Sequence, residues 1–160
     1  MKNLHTVFVY QRRLSDLSFL TQGESLTNIV LNTNDISDLT PLKDLKKIKR
    51  LIVDWNQIED LGPLADLTTL KEISAYSNKI SDLSPLSGLI ALEAIGFYNN
   101  QISDLTPLKE LKNLKTVELI TNDIEDVEPL SGFNSFEELR LTDNPIRNIE
   151  LLSHIANLEY

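Results

Sequence analysis

The sequence predicts a right-handed solenoid of about seven stacked coils, α/β in class, with a parallel sheet along one wall and 3₁₀ turns along the other. Three observations predict it. One phrase is restated along the chain, as "NDISDLTPLKDL" from Asn34, "NQIEDLGPLADL" from Asn56, "NKISDLSPLSGL" from Asn78 and "NQISDLTPLKEL" from Asn100. Steps of 22 residues link Leu4, Leu26, Ile48, Leu70, Leu92, Leu114, Phe136 and Leu158, and the same step links Asn34 through Asn144 and Pro41 through Pro129. Within each unit the apolar spacing changes from two to three, so a strand gives way to tight turns.

The strand comes first in each unit. In "LKEISAYSN" the alternation sets Ile73 and Ala75 on one side and Ser74 and Tyr76 on the other. The asparagine column falls where the strand turns inward. An amide carries both donors and acceptors, so a ladder of Asn34, Asn56, Asn78, Asn100, Asn122 and Asn144 can satisfy backbone groups of its own coil and the next. Asp38, Asp60, Asp82, Asp104 and Asp126 follow, placed to accept nearby backbone N–H groups as a turn begins. Ser84 and Pro85 then read as a cap followed by proline at the first helical position. Ile80, Leu83, Leu86 and Leu89 advance by threes, which suits 3₁₀ turns better than an α-helix. One such coil cannot bury its own inward row, so the coils must stack and share a leucine core.

The repeat occupies residues 1–160 as a single domain, with regular coils over 26–135. The first coil, 4–25, is degenerate: Arg12 stands in the asparagine column and Phe19 in the proline column. The last coil, 136–157, diverges with Leu151 in the proline column, and 158–160 reads as a partial eighth strand. Its unpaired edge makes end-to-end self-association an open expectation.

Composition narrows function. With 24 acidic and 15 basic residues, the net charge of -9 opposes phosphate backbones, so no nucleic-acid partner is expected. Cysteine is absent, which removes disulfides and thiolate metal sites. No stretch reaches membrane-spanning length, so no membrane insertion is expected. His5 and His154 fall in the first and last coils, roughly 30 Å apart at about 4.8 Å per strand, too far to share an active site. Phosphate-loop, zinc-protease and nucleophile-elbow motifs are missing, and the carboxylate column repeats where a catalytic site would be singular. No enzymatic activity, cofactor or metal is expected.

The pattern "NxISDLSPLSGLxxL" in 22-residue units resembles the leucine-rich repeat family, and within it the internalin-type bacterial subclass. That resemblance implies a curved horseshoe with the strands on its concave side and 3₁₀ segments on its convex side. It also implies a protein-binding module, of a family often aimed at host surface receptors. The family's usual signal peptide, helical cap and trailing immunoglobulin-like domain are not visible. The sequence therefore reads as cytoplasmic as it stands, or as secreted or cell-surface if it is a segment of a longer protein.

Positions that break the period carry the candidate site, because the fold does not dictate them. One outward column runs Tyr10, Asn32, Asp54, Tyr76, Tyr98, Ile120, Thr142, flanked by the columns of Phe8 and Gln11. Tyr10, Ile52, Trp55, Tyr76 and Tyr98 are the expected anchors for a protein partner on the concave face, since aromatic side chains bury large area with few rotors. Arg50, Asp54 and Glu118 are the expected specificity contacts, with Arg50 and Lys49 beside Asp54 on the surface. Glu118, Glu137, Glu138, Arg140 and Asp143 form a charged zone toward the C-terminal end that could steer a basic partner. Two other readings remain open: an intracellular regulatory or inhibitory subunit of an enzyme, and a self-assembling structural solenoid.

Overall fold

Eight short strands lie side by side in one parallel sheet, in chain order, with each 3₁₀ turn on the opposite wall. The structure is a computed structural model that describes residues 3–160. The strands are β1 (Thr6–Phe8), β2 (Asn28–Val30), β3 (Arg50–Ile52), β4 (Glu72–Ser74), β5 (Ala94–Gly96), β6 (Thr116–Glu118), β7 (Glu138–Arg140) and β8 (Leu158–Glu159). From β1 to β7 each residue pairs with the one 22 positions on, as Ile73 with Ile95.

The leucines explain the return wall. Leu86 N–H donates to Leu83 O, Leu89 N–H to Leu86 O and Leu92 N–H to Leu89 O, each at 2.9 Å. A three-residue turn eclipses residues three apart, so all four leucines point inward and are fully buried. Neighbouring coils adjust volume to one another: Ala75 stands beside Phe97 in the same inward column, both fully buried.

The asparagine ladder forms, with one correction of direction. Asn78 Nδ2 donates to Ala75 O and Tyr76 O in its own coil, both at 3.1 Å, and to Val53 O in the coil before, also at 3.1 Å. Its Oδ1 accepts from Ile58 N–H at 2.9 Å. Each rung therefore ties its coil to the preceding one rather than to the next. The aspartates act as expected: Asp82 Oδ1 accepts from the Ser84 N–H at 2.8 Å, and Asp38, Asp60, Asp104 and Asp126 repeat the bond. This also corrects the cap. Leu83 is the residue before the 3₁₀ turn and has no side-chain capping bond, while Ser84 is the first residue inside it. The carboxylate two residues earlier does what a Ser84 hydroxyl was expected to do.

The last coil departs from the period. Leu139 pairs with Leu158 and Arg140 with Glu159, three residues short of the regular step. Leu158 thus belongs with Ile95 and Leu139, not with Leu92 and Phe136. From Ile155 the chain omits one leucine step and enters β8 directly; Leu139 N–H is met by Asn157 O at 3.1 Å and Leu141 N–H by Glu159 O at 2.7 Å.

A left-handed column ends each strand. Gln11, Thr33, Trp55, Ser77, Asn99, Thr121 and Asp143 all have φ between 50° and 58°. The twist reverses the chain and turns the following asparagine inward, while the ladder persists through it, as in Trp55 N–H to Tyr76 O at 2.7 Å. Only Asn99 and Asp143 are residue types that tolerate this conformation well.

Candidate functional site

Three outward columns line the sheet, and the structure sorts their side chains. Tyr76 and Tyr98, adjacent in one column, meet edge to face with ring centroids 6.0 Å apart and planes at 81°, a favoured geometry for aromatic pairs. Tyr98 is 39% exposed and Tyr76 is half-buried. The Tyr76 ring packs over Gly96, across the strand pair: a Cβ built there would collide with the ring at Cε1 and crowd Cζ and the hydroxyl. Gly96 is therefore a positioning residue of the site, and neither charge nor aromaticity marks it in the sequence.

Beside the tyrosines a concavity of about 380 Å³ is lined by Tyr76, Tyr98, Glu118, Ile120, Arg140 and Asp143. Arg140 organises its charged side. Its guanidinium meets Glu118 Oε1 at 3.1 Å, Glu138 Oε1 at 2.6 Å and Glu159 Oε2 at 3.2 Å. Burial pushes the Glu118 carboxyl above its ordinary range, against the pull of Arg140, and the Glu138 and Asp54 charges push the same way. Arg140 was placed in a charged zone by the sequence, but its role as the hub of three carboxylates was not legible there.

Two expected contacts prove to be interior to the surface. Asp54 is only 6% exposed. It accepts from Asn32 Nδ2 at 3.1 Å, Ser74 Oγ at 2.5 Å and Tyr76 N–H at 2.9 Å. The carboxylate ties three coils together and fixes the backbone of Tyr76, so it serves as a brace rather than as an exposed contact. Burial raises its pKa, opposed by the bonds from Ser74 and Asn32 and by the Arg50 charge. Ile52 is likewise 6% exposed, and with Val30 it is buried on the outward face, apart from the main leucine core.

Arg50 is exposed, but its partner is Glu72, at 2.8 Å across β3 and β4, and not Asp54. Tyr10 stacks on Phe8 at 6.4 Å, both exposed, far along the sheet from Tyr76. Trp55 is 53% exposed and sits in the left-handed column after β3; among the described residues it joins no aromatic pair. The structure brings Tyr76, Tyr98 and Glu118 to one concavity, and leaves Tyr10, Arg50 and Trp55 outside it. His5 and His154 are exposed, each with a ring nitrogen on a backbone carbonyl, Ser25 O at 3.0 Å and Phe133 O at 2.9 Å. Among the described residues, no cluster of His, Asp or Glu is arranged to hold a metal, and no helix is long and apolar enough to cross a membrane.

A crystal structure of internalin C2 from Listeria monocytogenes is 32% identical, with a TM-score of 0.77, over 96% of this chain and 77% of its own. This chain belongs to the leucine-rich repeat family, in its internalin branch. The family model for leucine-rich repeats in two copies matches residues 68–110. Internalin F from the same organism is 28% identical, with a TM-score of 0.77, over 98% of this chain but 54% of its own. A leucine-rich repeat protein of Leptospira interrogans shares the fold at 24% identity and a TM-score of 0.90, over 99% of this chain and 43% of its own. The chain thus spans about half or less of the latter two. No curated protein matches it. Leucine-rich repeats are commonly protein–protein interaction modules, and the horseshoe that the family resemblance implies is the fold observed.

Proposed function

We propose that this leucine-rich repeat chain binds a partner protein on its concave sheet face, with Tyr76 and Tyr98 as the central anchors. The reading involves no reaction. One observation carries it: two partly exposed tyrosines are held in a fixed pair, over a glycine that makes room for one of them, on a face the core does not need. A preformed aromatic pair on a rigid sheet loses little conformational freedom on docking, which is where association is otherwise costly. Asp54 supports the pair from beneath through the Tyr76 N–H, and Glu118 and Arg140 supply directional contacts at its side. Tyr10 and Trp55, both exposed, are peripheral contacts in this reading.

Site-directed photo-crosslinking tests it. A benzophenone amino acid at position 98 should yield a discrete adduct with a protein from extracts of the source organism or its host. The same group at Ser87, exposed on the opposite wall, should yield none. Adducts formed from Ser87 and not from Tyr98 would move the interface to the convex side.

A further inference from the structure

Charge is distributed unevenly along the sheet. From β1 to β3 the outward side chains include Phe8, Tyr10, Val30 and Ile52, with Arg50 paired to Glu72 and Asp54 buried. From β6 to β8 they include three carboxylates, Glu118, Glu138 and Glu159. Among the described residues Arg140 alone pairs with Glu118, Glu138 and Glu159, so three carboxylates share one guanidinium, two more negative charges than it carries positive. Asp143 lines the same concavity, and among the described residues its carboxylate has only a long 3.5 Å contact from the Thr121 hydroxyl. Arg140 gathers the carboxylates without neutralising them.

The surroundings of these charges are specific. Tyr76, Tyr98 and Ile120 are the apolar lining of the concavity and Glu118 and Asp143 its acidic lining, while the Arg140 guanidinium that also lines it is already engaged by carboxylates. A long basic side chain matches both: its methylene stem lies along the apolar wall, its cation passes the tyrosine faces, and its head reaches the carboxylates. An acidic or neutral segment would leave the surplus charge unrelieved. Burial is the chief cause of the raised Glu118 pKa, and repulsion from Glu138 and Asp54 adds to it.

We infer that the partner inserts a lysine or arginine, carried beside an apolar residue on a protruding segment, into the concavity between the Tyr76–Tyr98 pair and the carboxylates of Glu118 and Asp143. This rests on the concave-face reading above and names the chemistry of what docks there.

A random peptide library displayed on phage, selected on the immobilised full chain, supplies the probe. Selected peptides are then measured by fluorescence anisotropy. They should be enriched in Lys or Arg next to an aromatic or aliphatic residue. Their affinity should fall at least about ten-fold on Glu118→Gln with Asp143→Asn, a loss of the size expected for removing local charge complementarity, and should weaken with added salt. Asp44→Asn with Asp66→Asn, which removes equal charge from the return wall, should leave affinity unchanged; equal loss from both pairs overturns the inference, because net charge would then be the cause. Each variant is checked for an unchanged far-ultraviolet spectrum and thermal midpoint. Peptides that are lost on Tyr76→Ser with Tyr98→Ala, yet carry no basic excess, overturn the charge assignment alone. Peptides that survive the tyrosine changes, or a selection that yields none, overturn the concave-face reading and this inference with it.

Discussion

Removing one asparagine rung tests how the coils are held in register. Asn56 Nδ2 donates to Leu31 O, Val53 O and Asp54 O at 3.0, 2.9 and 3.1 Å, and its Oδ1 accepts from Ile36 N–H at 3.1 Å. The three carbonyls have other donors: Asn34 Nδ2 reaches Leu31 O, Asn78 Nδ2 reaches Val53 O, and Thr33 N–H reaches Asp54 O. The Ile36 N–H has no second acceptor among the described residues. Asn56→Ala therefore strands one buried donor, which costs about 1–3 kcal/mol. At about 2–4 °C per kcal/mol for a chain of this size, the thermal midpoint should fall by roughly 2–12 °C. Exposed Gln57→Ala should stay within about 0.5 kcal/mol of the wild type. Hydrogen exchange should locate the damage, with the Ile36 amide losing protection while the Leu86 amide, two coils away, keeps it. A midpoint loss no larger than that of Gln57→Ala, or an Ile36 amide as protected as before, would refute the one-rung, one-donor account.

Four further outcomes follow from the same structure. Thr33→Asn should stabilise the chain by about 1 kcal/mol in urea denaturation, because a β-branched residue at φ 58° gives way to a type that tolerates it; a loss of stability would show that the threonine is not strained. Gly96→Ala should leave the fold intact, since the added methyl meets a side chain and not backbone, but should displace Tyr76, seen as an altered near-ultraviolet tyrosine signal and weaker peptide binding. Asp54 has a raised pKa in the folded state, so the fold binds its proton more tightly than the unfolded chain does and loses that contribution as pH rises from 3.8 through the folded value. Relative to the wild type, Asp54→Asn should gain stability over that rise, and parallel stability curves for the two would contradict the burial argument. Leu86→Asp should cost more than about 3 kcal/mol by placing a charge in the leucine row, whereas Ser87→Asp, on an exposed position, should change little.

The fold was legible because its causes repeat. Every regular coil has an inward leucine row, an amide that bridges coils and a carboxylate that opens the turn, so each requirement is written several times at one spacing. The features that were not legible each occur once or depend on backbone twist. The left-handed conformation after each strand has no fixed residue type: Gln11, Thr33, Trp55 and Ser77 share it, held there by the ladder and the rung that follow. The shortened last coil keeps a leucine at Leu158, so the period appeared to continue through a step the chain omits. Asp54 and Ile52 occupy outward columns, and alternation alone assigns them to the surface. Their burial comes from the neighbouring coils, through Asn32, Ser74 and Tyr76 in the case of Asp54.

The same point explains why reading down a column finds aromatic residues but not a site. On this sheet the pose of each outward side chain is set by its neighbours on adjacent strands about 4.8 Å away, in its own column and in the columns beside it, and not by its residue type alone. Tyr76 is accommodated by Gly96, braced by Asp54 and met by Tyr98, and these come from the two coils on either side of its own. Trp55 is larger and more exposed, yet has no such arrangement around it. A binding surface built this way is selected in pairs across strands, so a single change at a silent position such as Gly96 should alter recognition as much as a change at an anchor.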